Sequence, residues 1–131
     1  MIRFLFPILV LMAPFIPQGL FQSDFIDQLS PLFKAGNSQE IAKNFNPSIA
    51  LSILKEEDVY SKVQAEQILR DFFSKHNPTN STVLHLINTN PNMRFGILSL
   101  ATKNGKFRIS ITSKRTNNVF LITELRIDQE K

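Results

Sequence analysis

Apolar positions along this 131-residue chain recur with two different periods, and the switch between them divides it into parts. From Ser23, the stretch SDFIDQLSPLFKAGN sets Phe25, Ile26, Leu29, Leu32 and Phe33 three or four residues apart, the stripe of an amphipathic helix, with Ser23 as its cap and Gly36 as its stop. Pro31 falls inside that stripe and predicts a kink or two shorter pieces. Asn37 with Glu40 three residues on reads as the start of a second short helix through about Phe45, ended by Asn46-Pro47. SIALSIL, Ser48 to Leu54, alternates as a strand does, and the acidic KEED after it reads as a solvated turn.

The next stretch, VYSKVQAEQILRDFF, is the most regular. Ser61 and Gln64 form an S-x-x-Q capping box, and Ala65, Ile68, Leu69, Phe72 and Phe73 follow on one helical face. Glu66 and Arg70 sit four apart on the other face, in the favourable order. After His76-Asn77-Pro78 the period becomes two. Four strands are predicted, at Thr82 to Thr89, Arg94 to Lys103, Lys106 to Lys114 and Val119 to Asp128, with Asn104-Gly105 as a strong hairpin turn. The chain thus reads as helix, helix, strand, helix and a four-stranded antiparallel meander: an α+β fold, with three N-terminal helices packed on a curved antiparallel sheet.

Composition adds a core and a leader. Twelve phenylalanines in a chain that is 43% hydrophobic suffice for one real core. Before it, MIRFLFPILVLMAPFIPQG offers one basic residue, Arg3, and then an apolar run, the pattern of a cleaved signal peptide over residues 1–19 ahead of a single domain at 20–131. A retained membrane anchor is the rival, but the run is short of the roughly 20 residues a span needs and is broken by Pro7 and Pro14. The membrane is therefore met only through this segment, if it is uncleaved. Only Ala13 and Gly19 are small, so the cut site is not fixed by residue type.

Charge and cysteine content then remove whole classes of function. Losing the leader removes only Arg3, and the remaining basic side chains are interleaved with acids rather than gathered on one face, which argues against nucleic acid as a partner. With no cysteine there are no disulfides, thiol nucleophiles or Cys-zinc sites. An exported domain that relies on packing alone suits a bacterial periplasm or secretion from such a cell. His76 and His85 are far apart and match no metal-ligand spacing. No Ser-His-Asp order or glycine-rich phosphate loop occurs, and no cofactor is implied.

Two resemblances follow. The element order resembles the cone-shaped fold of the nuclear-transport-factor-like (cystatin-like) superfamily. YSKVQAEQILRDFF, the hairpin NGKFRISI and the terminal LITELRID together resemble an uncharacterised family of short exported bacterial proteins, catalogued as domain of unknown function 4783, over about Gln22 to Ile127. The resemblance implies the cone architecture and supplies no reaction, since this fold hosts isomerases, dehydratases, transport adaptors and inert scaffolds alike.

Function therefore has to be sought among residues. The cone encloses a pocket, and its enzymes place an acid or base there, which makes Asp58 and Tyr60, before the third helix, the candidate catalytic pair. The plainer reading makes Asp58 part of an acidic turn and Tyr60 a staple at the start of the helix. Gln64 either points inward to bind a ligand or serves only the cap. Phe33, Phe45, Phe72, Phe73 and Phe95 offer an apolar lining. On the strands, Arg94, Arg108, Glu124 and Arg126 are expected to cluster on the outer sheet surface, where Phe120 and Ile122 form an exposed apolar pair suited to a homodimer.

These observations leave two readings. The first is a non-enzymatic exported module that binds a small apolar ligand or a protein partner through the cone pocket or outer sheet, with Tyr60, Gln64, Phe72, Phe95 and Arg108 as binding candidates. The alternative is a cofactor-free isomerase or dehydratase using Asp58 and Tyr60.

Overall fold

The computed structural model describes residues 24–130. The leader assigned to residues 1–19 and the cap Ser23 lie outside the described residues. In chain order the elements are α1 (Phe25–Lys34), α2 (Ser38–Ala42), β1 (Phe45–Ile53), β2 (Glu56–Ser61), α3 (Lys62–Lys75), β3 (Pro78–Ile87), β4 (Met93–Thr102), β5 (Gly105–Thr116) and β6 (Val119–Gln129).

Local chemistry accounts for the helix ends. Asp24 caps α1, its carboxylate accepting from the Ile26 N–H at 3.2 Å. Gly36, at φ +64°, closes that helix, with its N–H on the Phe33 carbonyl and the Asn37 N–H on the Leu32 carbonyl, the pairing that satisfies the last free carbonyls of a helix. Pro31 neither divides α1 nor ends it: the Ala35 N–H still reaches the Pro31 carbonyl at 3.0 Å. The ring lies on the solvent side, where water can serve the carbonyl one turn back. Asn37 starts α2 as expected, but the helix stops at Ala42, and Phe45 opens β1 instead of closing the helix. The cause is the sheet, since the Asn44 carbonyl accepts from the Ile122 N–H of β6 at 2.6 Å. At α3 the capping box is complete.

The six strands form one sheet in the order β2-β1-β6-β5-β4-β3. Two expectations are corrected here. The acidic stretch is not a turn but an edge strand, β2, paired antiparallel with β1 through Ile49↔Tyr60 and Leu51↔Asp58, so the helices do not all precede the sheet. Nor is the sheet wholly antiparallel, because β1 runs parallel to β6. The β1–β2 turn holds Leu54 and Lys55 at φ +52° and +78°, the geometry of a tight hairpin turn usually built from Asn or Gly.

Bulges bend the sheet. Leu84 is an extra residue between Val83↔Leu98 and His85↔Ile97, and Thr123 is extra between Ser113↔Ile122 and Thr112↔Glu124. The concave side receives the helices, and the core gathers Ile26, Phe33, Phe45, Leu69, Leu98, Phe107, Ile109, Ile122 and Leu125, all essentially without solvent exposure. Gly96 lets α1 approach β4, for a Cβ there would collide with Ile26 Cγ2.

Candidate functional site

The phenylalanines fill the deep interior. Phe33 meets Phe73 edge-on at 6.1 Å, and Phe72 meets Phe107 edge-on at 5.1 Å. A wider and more polar cleft of about 740 Å³ lies between α1 and Phe120, while a cavity of about 300 Å³ opens at one end of the cone, between the β1–β2 hairpin and the last turns of α3. Its apolar wall is Leu51, Ile53, Leu54, Tyr60, Ile68 and Phe72, and its polar rim is Glu56, Asp71, Lys75 and His76. That volume lies at the lower end of small-molecule sites, and the plan, an apolar body with a few polar groups, is theirs too.

Each rim group is set by a neighbour. Lys75 and Asp71, one turn apart on α3, pair at 3.1 Å. The Asn104 side chain donates through Nδ2 to the Lys75 carbonyl at 3.1 Å, which turns its Oδ1 toward His76 Nδ1, 3.0 Å away. That oxygen only accepts, so Nδ1 carries the hydrogen and Nε2 of the neutral ring is left as an acceptor. The imidazole is held in place by Phe72 and Phe107, with ring centroids at 4.8 and 4.7 Å. Tyr60 has neither a hydrogen bond nor a ring contact with any described residue.

The sequence candidates therefore separate. Tyr60 and Phe72 line the cavity. Asp58 shares the concave side of β2 with Tyr60 by register, but its carboxylate is exposed, accepts from the Val59 N–H at 2.8 Å and does not line the cavity, so the proposed catalytic pair is not assembled. Gln64 is exposed and spent on the cap, its Oε1 accepting from the Ser61 N–H at 3.1 Å. Phe95 is no part of the lining: Gly96, Leu98 and Leu100 take the inward positions of β4, and Phe95 faces outward beside Ser110, Thr112, Glu124 and Arg126.

Arg108, Glu124 and Arg126 occupy the outer face as expected. Arg108 approaches Glu130 at 3.6 Å, and Arg126 approaches Glu57 at 3.5 Å while donating to the buried Ser52 hydroxyl. Arg94 does not join them. It points to the helix side, donates from Nε to Asp24 at 2.9 Å and lies 4.6 Å over the Phe120 ring. Phe120 itself packs on Phe25 of α1, and Ile122 is fully buried, so the apolar pair expected outside lies inside. The Thr123 bulge explains the error, because it shifts the alternation of β6 by one residue and sends Leu121, opposite Lys114, to the other side from Leu125 and Ile127.

Leu54, Glu56, Asp71, Lys75 and His76 are cavity residues that strand and helix periodicity did not single out. The last three had a usable signal, since they share the final turn of α3 with Phe72. Glu56 and Leu54 had none until β2 is known to be a strand. Among the described residues no group of His, Asp or Glu side chains is placed to hold a metal ion, and no helix is long and apolar enough to cross a membrane.

The bent sheet closed over three helices is the nuclear-transport-factor-like, or cystatin-like, architecture. At the level of fold alone it is shared with a cystatin-like domain of unknown function from Nostoc punctiforme, 10% identical, with a TM-score of 0.64 over 82% of this chain and 74% of that one. The chain belongs to the family described as Domain of unknown function (DUF4783), whose profile matches residues 26–128. Two family members of known structure illustrate this. The protein from Bacteroides uniformis is 30% identical, with a TM-score of 0.78 over 82% of this chain and 99% of its own. That from Bacteroides fragilis is 32% identical, with a TM-score of 0.73 over 78% and 95%. No curated protein matches the chain.

Proposed function

We propose that this protein is an exported, non-enzymatic binding domain that takes a small amphipathic molecule into the cavity between the β1–β2 hairpin and α3. The observation that carries the reading is that cavity: about 300 Å³, walled largely by Leu51, Ile53, Ile68, Phe72 and Tyr60, with its charged groups, Glu56, Asp71 and Lys75, all exposed. Such a wall gains from burying an alkyl chain, at about 0.8 kcal/mol per methylene. The isomerase or dehydratase alternative keeps Tyr60 at the cavity but loses Asp58, its partner, to the exposed hairpin.

The chain has one tyrosine and no tryptophan, so Tyr60 fluorescence reports on this site alone. Titration with 1-octanol is expected to change that emission saturably. Ile68→Trp, which fills the cavity from α3, is expected to abolish the octanol response, read by calorimetry because of the new indole, while Tm stays within a few degrees. Absence of saturable binding by the parent protein, or equal binding by a folded variant, contradicts the reading.

A further inference from the structure

Resting on that reading of the cavity, we infer that its ligand carries a cationic, hydrogen-bond-donating head, an alkylammonium in the simplest case, drawn by Glu56, the unpaired carboxylate of a rim that also carries His76 and of a cavity walled by Tyr60. The rim carries two carboxylates, Glu56 and Asp71, against one ammonium, Lys75. Asp71 and Lys75 neutralise each other at 3.1 Å, and the Lys75 amine is thereby engaged. Glu56 has no partner among the described residues, which leaves its carboxylate as the unbalanced charge of the rim. In its neutral form His76, with its tautomer set by Asn104, presents Nε2 as an acceptor.

Tyr60 supplies the third part. Phe72 already uses its ring against Phe73, Phe107 and His76, whereas the Tyr60 ring has no ring or cation contact with a described residue and stays available to a cation. An aromatic wall and an unpaired carboxylate at the rim of one cavity suit an ammonium, and the carboxylate repels a carboxylate head. Size sets the tail: a water-sized volume is about 30 Å³, so the cavity holds about ten such units, close to an eight-carbon chain with its head at the rim.

The preference runs against the molecule as a whole, whose formal net charge is +4. A response governed by overall charge would favour anions. At physiological ionic strength the Debye length is about 8 Å, so distant lysines and arginines are screened while rim contacts are not.

Three probes with one tail and different heads separate the possibilities: octylammonium, 1-octanol and octanoate, each titrated at pH 7 and below micelle-forming concentrations, with Tyr60 emission and calorimetry as readouts. Octylammonium is expected to bind about tenfold or more tighter than octanoate, with octanol between them, and Glu56→Gln is expected to cut that preference by about threefold or more. Equal or tighter binding of octanoate overturns the inference while leaving the cavity reading intact. A preference undiminished in Glu56→Gln also overturns it, by removing the carboxylate assigned to the head. Failure of all three probes overturns the cavity reading and this inference with it.

Discussion

At Gly96 α1 closes tightly on β4, and the lack of a side chain there is what lets it. Ile26 fills the space that a Cβ would need and is itself fully buried, so neither side can yield without moving α1. Gly96→Ala is accordingly expected to cost about 1–3 kcal/mol, seen as a Tm lower by several degrees, and an unchanged Tm would contradict the packing described. Nothing in the sequence marked Gly96, because alternation assigns a face but not the distance to the element opposite. Tyr60 and Asp58 show the same boundary. Both were legible as residues before a helix, and register puts both on the concave side. Only the fold shows that one carboxylate bends back to its neighbour's N–H while the phenol stays free.

At the scale of elements, capping chemistry read true at Asn37 and Ser61, which start the helices that their side chains announce, but not at α1, where Asp24 and not Ser23 is the cap. The missing element was β2. Its only partly buried residue is Tyr60, and the acids Glu56, Glu57 and Asp58 guard an exposed edge, so its sequence carries the mark of edge protection rather than of alternation. Its turn was hidden for a related reason. Asn117-Asn118 and Leu54-Lys55 adopt the same left-handed pair of conformations, yet only the first pair has side chains that tolerate it well. Leu54 holds this strained conformation and also lines the cavity. Replacing Leu54-Lys55 by Asn-Gly is expected to stabilise the fold by about 1–2 kcal/mol, read as a higher denaturant midpoint at constant m-value. A lower midpoint would show that Leu54 contributes more by packing than its backbone costs.

At the scale of the whole molecule, the sheet's two faces divide the work. The concave face is covered by helices and filled largely by aromatic rings, and the apolar cavity remains at its β1–β2 end. The outer face carries Ile87, Phe95 and Ile97 beside the Arg108–Glu130 and Arg126–Glu57 pairs. The general α+β plan and the phenylalanine core were legible because they follow from period and composition. The parallel β1–β6 pairing was not, since it joins segments some seventy residues apart that carry no mutual mark. Nor was the Thr123 bulge, which reverses the face of every position counted through it. The proposed function requires that ligand enter at the β1–β2 and α3 end and nowhere else. Amide chemical-shift mapping with octylammonium is the decisive test. Shifts are expected only at residues 51–60, residues 68–76 and Asn104. Perturbations centred on Phe95 and Arg126, or around Asp24 and Phe120, would contradict it.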